Sequence, residues 1–130
     1  MTTYRWFAPE TDPLMIGVDP ALMSIADNAR QNSGVPFILT CGVRTPEHNA
    51  EVGGVADSAH ISGNAIDLAV FDSTHLYKMV NGLLQASAQR LVIGIRIEGG
   101  KVVYHNLHVD NDTTKPSPLI AVRLYGVPEK

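Results

Sequence analysis

Two histidines and an aspartate are the residues whose types and spacing are suited to chemistry. His60 and Asp67 lie in Ser58-Ala59-His60-Ile61-Ser62-Gly63-Asn64-Ala65-Ile66-Asp67, and His108 lies in the later His105-Asn106-Leu107-His108-Val109-Asp110. Two imidazoles and one carboxylate are the donors of a catalytic zinc that keeps its fourth position for water, so the chemistry they point to is metal-assisted hydrolysis. The single cysteine, Cys41, excludes an internal disulfide and a thiolate cluster, leaving imidazoles and carboxylates as the expected ligands. Two turns apart, roughly 10 Å along a helix, His60 and Asp67 are spaced too widely for one helical face to bring them to a single ion. Their spacing suits a turn that returns the imidazole beside the next strand, with Gly63 supplying the permissive backbone. Asp110 shares a strand face with His108 and is placed to orient an imidazole. Taken singly, each residue also has an ordinary explanation: a surface or hydrogen-bonded core histidine, or a strand aspartate paired with an arginine.

These residues need elements to hold them. Asp19-Pro20 opens a helix, with Leu22, Ile25, Ala26 and Ala29 on one stripe and Gly34 at its end. Phe37 to Cys41 reads as a buried strand, Pro46 to Val52 as a short helix, and Ala65 to Val70 as a central strand in which Asp67 needs a partner. Leu76, Met79, Val80, Leu83 and Leu84 mark a second long helix from about Ser73 to Gln89. Leu91 to Ile97, a Gly99-Gly100 turn, Lys101 to Tyr104, the histidine segment and Leu119 to Leu124 make the last third β. The order predicts an α+β fold, a mostly antiparallel sheet with helices packed on one face, as a single domain over 1–130 with an irregular arm at 1–18.

The pattern as a whole resembles the zinc D-Ala-D-Ala carboxypeptidase and L-alanyl-D-glutamate peptidase family, whose signature is S-x-H-x-x-G-x-A-x-D with a later H-x-D. Ser58, His60, Gly63, Ala65 and Asp67 match its first part and His108 with Asp110 its second, while Gly42-Val43-Arg44-Thr45-Pro46-Glu47-His48-Asn49 resembles its G-[YV]-R-[ST]-P-E-H-N segment. The resemblance covers roughly residues 19 to 111. It implies the fold those peptidases share with the hedgehog signalling domain, zinc ligation by His60, Asp67 and His108, and contact of Arg44 with the substrate near the scissile carbonyl. A guanidinium is a fixed fork of donors suited to that task, although an ion pair with Glu47 or a surface position is the bland account of Arg44. Ser58 lacks the surroundings of a serine nucleophile and fits a local hydrogen-bond partner or substrate contact.

The family activates its water with an acidic residue three positions before the last histidine ligand, where this chain has His105. Three roles are open. His105 accepts the proton itself, its ordinary pKa of ~6.5 being near neutrality. It is a fourth ligand or faces away, with Asp110 or another carboxylate as base. Or the protein keeps zinc without turnover, as a cell-wall-binding or phage-particle module. The leading expectation is a zinc metallopeptidase, carboxypeptidase or endopeptidase, acting on peptidoglycan stem peptides.

The remaining features narrow the partners. Ten basic and thirteen acidic residues give a net charge of -3 with no basic cluster, which argues against a nucleic-acid partner. No apolar run is long enough to span a membrane, and the start lacks a secretory signal, so synthesis in the cytoplasm, a monomeric state and phage-type release of an endolysin-like enzyme to the wall are expected. His48 and Glu47 read as scaffold, with His48 hydrogen-bonded to the loop it packs on, and His75 as a solvated residue on an exposed helix turn. Gly53-Gly54 and Gly99-Gly100 read as turns, and Trp6 and Tyr104 as core or cleft aromatics.

Overall fold

The computed structural model describes residues 3–55 and 57–126. Its helices are α1 (Pro20–Ser33), α2 (Pro46–Glu51) and α3 (Ser73–Gln85), and a 3-10 turn spans Pro13–Met15. The strands are β1 (Leu39–Cys41), β2 (Ala65–Leu68), β3 (Arg90–Glu98), β4 (Lys101–Asp110) and β5 (Leu119–Leu124), in the sheet order β1-β2-β4-β3-β5. Every pairing is antiparallel except that of β3 with β5. The fold is α+β, as the element order predicts.

Local chemistry sets the elements. Asp19 accepts from the Ala21 N–H with Pro20 at the first helical position, and Gly34 ends α1 in the left-handed region at φ 71°. Leu22, Met23, Ala26 and Ala29 of α1 and Leu76, Met79 and Leu83 of α3 share one core with Ile66, Leu68, Leu91, Leu107 and Val109 of the sheet. Burial of each large aliphatic side chain contributes ~1.5–3 kcal/mol. Both long helices thus cover one sheet face, and the residues that alternate with these core positions are left for the other.

Three expectations are corrected. The arm is not merely an entry segment. Phe7, Met15 and Val18 join the core, the Trp6 N–H donates to Asp27 and the Trp6 indole to Gln31, so the arm is anchored to α1 and to the core, while Met1 and Thr2 lie outside the described residues. α3 ends at Gln85 rather than Gln89, because Ser87 turns left-handed at φ 68° and sends the chain into β3. His75 is buried, not solvated. Its Nδ1 accepts from the Phe71 N–H, its Nε2 donates to the Pro36 carbonyl at 2.8 Å, and its ring stacks on Phe71. Among the described residues no helix is long and apolar enough to cross a membrane.

Gly63 shows why the loop before β2 needs a glycine. Its φ is +81°, and an added Cβ would collide with the Gly17 carbonyl oxygen, while its own carbonyl accepts from Asp19 N–H at 2.8 Å. Backbone, not a flexible side chain, is the obstacle. Gly63→Ala is therefore expected to lower stability by about 3 kcal/mol, as the sum of left-handed strain and a displaced loop contact, read as a shift in the urea midpoint.

Candidate metal centre and active site

The site is built on the sheet face opposite α1 and α3. Asp67 of β2 pairs across the sheet with His108 of β4, and Cys41 of β1 pairs with Asp67 from the other side. His60 arrives from the loop before β2, which is tied to the end of β1 by the Arg44 N–H donating to the His60 carbonyl at 3.0 Å. The residues that the sequence pattern singles out as ligands, His60, Asp67 and the distant His108, thus meet at one point.

The geometry at that point is specific. His60 Nδ1 lies 2.8 Å from the Gly42 carbonyl oxygen and Nε2 lies 3.2 Å from Asp67 Oδ1. A nitrogen facing a carbonyl must be the N–H donor, so Nε2 is the nitrogen turned into the site. His108 presents Nδ1 to the same Asp67 Oδ1 at 2.9 Å and Nε2 to Asp110 Oδ2 at 2.7 Å. The rings meet edge to face, 5.1 Å between centroids. Each imidazole therefore has its outer nitrogen held by an acceptor and its inner nitrogen on one shared carboxylate oxygen. That is how protein scaffolds fix histidine ligands, and this nitrogen and oxygen donor set fits zinc.

The surrounding carboxylates also favour protonation of both imidazoles. Burial alone would lower the His60 pKa, but the hydrogen bond and charge of Asp67, with Cys41 and the Gly42 carbonyl, raise it to about 9. Burial also disfavours charge on His108, and Asp110 and Asp67 outweigh it to raise that pKa. Burial pushes the Asp67 carboxyl up, yet the two imidazoles hold it well below the usual carboxylate range.

The surrounding residues are also accounted for. Arg44, mostly buried, donates from Nη2 to Asp67 Oδ2 at 3.4 Å, from Nη1 to Asn49 at 3.2 Å and from Nε to Cys41 Sγ at 3.3 Å, so its partner is Asp67 rather than Glu47. Asp110 is fully engaged: Oδ2 binds His108, and Oδ1 accepts from Arg90 Nε at 2.8 Å and from Asp112 N–H. Burial raises its pKa, and His108, the Asp112 N–H and Arg90 together lower it. Ser58 Oγ accepts from the His60 N–H at 3.3 Å, the local partner role. His48 does not pack on a loop. It is exposed and lies 3.7 Å from Glu51.

His105 sits on a β-bulge. β3 pairs Gly94 with Asn106 and the next residue, Ile95, with Tyr104, so His105 has no partner and is pushed out of register. The bulge gives it to the site side, where it is exposed and its ring lies 4.1 Å from that of Tyr125. An inner cavity of about 160 Å³ is lined by Arg44, His60, Asp67, His108 and Asp110 among others. It opens into an outer one of about 530 Å³ that shares Arg44 and Asp67 and adds His105, Asn106 and His48.

Sequence reasoning missed several neighbours. Cys41 was set aside as a ligand, yet Cys41, His60 and Asp67 offer donor atoms all within 4.8 Å of one another. Burial raises the Cys41 pKa, and His60 and Arg44 lower it to a net value below the ordinary thiol. Its position as the last residue of β1, just before Arg44, was the available signal. Arg90, Arg123 and Tyr125 reach the site only through tertiary pairing, which local pattern does not encode.

Comparison with known proteins agrees with this architecture. The chain is similar to the crystal structure of Serratia marcescens L-Ala D-Glu endopeptidase ChiX, with a TM-score of 0.57 over 83% of this chain and 90% of that one, at 18% sequence identity. At that identity the likeness is one of fold. No curated protein matches the chain. Residues 6–97, which include Arg44, His60 and Asp67 and stop short of His108, match the family model Peptidase M15. That stretch is more than half of the chain, and the chain belongs to the peptidase M15 family.

Proposed function

We propose that this peptidase is a zinc enzyme that hydrolyses peptide bonds in peptidoglycan stem peptides. The observation that carries the metal assignment is the convergence of His60 Nε2 and His108 Nδ1 on Asp67 Oδ1, with both outer nitrogens already committed. The substrate class is supported by membership of the peptidase M15 family and by the fold shared with an L-Ala D-Glu endopeptidase. Bound zinc supplies Lewis acidity, lowering the pKa of a water and polarising the scissile carbonyl.

The chain's own groups do the rest. Asp110, held by Arg90, orients His108 by accepting its Nε2 proton, and Gly42 does the same for His60 Nδ1. Arg44 aims Asp67 through its Nη2 contact, and its guanidinium lines both cavities, where it is placed to meet a substrate carbonyl oxygen that gathers charge. The base is His105. It is the titratable side chain that the bulge delivers to the outer cavity with no ion-pair partner among the described residues, whereas Asp67, which lines both cavities, and Asp110, which lines the inner one, are already occupied. Its imidazole takes the proton from the attacking water and returns it to the leaving amine.

His105→Ala is expected to leave zinc content unchanged and to lower kcat by about 100-fold or more, the usual range for a lost general base. Release of new amine termini from peptidoglycan fragments, beside metal analysis of the same preparations, checks this. An unchanged rate removes His105 from the mechanism. Zinc binding with wall affinity but no amine release from the wild type would instead identify a wall-binding module.

A further inference from the structure

We infer that Arg123 forms, with Tyr125, a subsite for a carboxylate carried by the peptide substrate, so that the cleft selects acidic peptides over their amidated counterparts. The inference rests on the peptidase reading for the nature of the ligand.

Charge accounting singles out this residue. Of the cations that line the two cavities, Arg44 and Arg90 each lie against a carboxylate, and Lys115 is paired with Asp112. Arg123 has no such partner among the described residues. Its recorded contact is with the face of Tyr125, 4.7 Å from guanidinium carbon to ring centroid. It also lines both the inner and the outer cavity, beside Arg44 and Asp67. Since Asp67 and Asp110 neutralise Arg44 and Arg90, Arg123 is the permanent cation in the cleft whose charge is unspent.

The position is built rather than incidental. Tyr125 N–H donates to the Ile95 carbonyl at 2.8 Å, continuing β5 along β3, and the ring reaches across β3 toward His105 on β4. Gly94 makes that crossing possible, for a Cβ there would stand 2.8 Å from Tyr125 Cε2 and collide with Asn106 Oδ1. The same Asn106, buried and lining the outer cavity, has an Oδ1 with no partner among the described residues, an acceptor suited to a peptide N–H. The Tyr125 ring fixes the place of the guanidinium, whose N–H groups have no hydrogen-bond partner among the described residues and can pair with a carboxylate.

The test compares a short peptide containing L-Ala-D-Glu, with the glutamate carboxylate outside the chain either free or converted to a carboxamide. Binding to the zinc-loaded wild type, Arg123→Gln and Arg123→Lys proteins is measured by calorimetry, and hydrolysis by amine release. The wild type is expected to bind the acid about tenfold tighter than the amide, the factor of one charge-assisted hydrogen bond. Arg123→Gln should bring the acid down to the amide, with the loss falling in KM rather than kcat, and Arg123→Lys should restore part of it. Equal wild-type affinity for acid and amide, no binding of either, or an equal loss of both in Arg123→Gln overturns the subsite. Discrimination in binding without hydrolysis by the wild type keeps the subsite and overturns the peptidase reading.

Discussion

Asp67→Asn is expected to lower zinc affinity by more than a hundredfold and to abolish hydrolysis with it. An orienting partner outside the ligand shell already costs ~10–100-fold when removed, and Asp67 is both a donor and the group on which two imidazoles and Arg44 converge. The amide keeps the volume but loses the charge. Arg44 and the protonated imidazoles then face one another without a counter-ion in a site where Asp67 is almost wholly enclosed. Breaking a buried ion pair by removing one partner costs ~3–5 kcal/mol, so the metal-free variant should also unfold at markedly lower urea, and the His60 pKa should fall from about 9 toward its ordinary value. Metal analysis, urea melts and an NMR titration of the histidines check the three consequences. Full zinc occupancy in a folded Asp67→Asn protein would remove the assignment of Asp67 as a ligand.

The site was legible in the sequence where its parts are local. The turn from His60 to Asp67 is encoded by Gly63, and the cap residues Asp19 and Gly34 announce α1 directly. His108 and Asp110 share a face because strand geometry requires it. What stayed hidden depends on which strands are neighbours. Arg90 reads as an ordinary start to β3 until the β3 and β4 register sets it opposite Asp110. The His105 bulge arises from a one-residue mismatch between two strands, and neither strand alone reveals it. The burial of His75 is likewise hidden: on a helix turn it looks solvated, and only the fold brings the Pro36 carbonyl to its ring. Likewise Tyr125 reaches the cleft because β5 lies parallel beside β3 and Gly94 leaves room, a relation between distant segments.

On the proposed zinc assignment, proton and metal compete for one place, and a pH dependence follows from that. In the metal-free protein His60 is raised from 6.5 to about 9, so its contribution to stability is complete below pH 6.5 and is lost as pH rises through about 9. The amount is about 3 kcal/mol, and it is shared with Asp67 because both shifts describe one interaction. Asp67 is shifted downward, so its contribution is present above pH 3.8 and disappears as pH falls through its lowered value. Metal-free stability should therefore peak between about pH 4 and 6.5 and decline on both sides. Zinc reverses the alkaline limb. A ligating His60 must lose its Nε2 proton, so apparent zinc affinity should rise about tenfold per pH unit from pH 7 to 9, and more steeply where His108 also gives one up, before levelling off. Calorimetry in two buffers of different ionisation enthalpy counts the protons released, and at pH 7 at least one is expected. A binding constant flat across that range would mean that the His60 proton and the metal do not share a site. The peptidase should accordingly work on the alkaline side of the pH at which its empty scaffold is most stable.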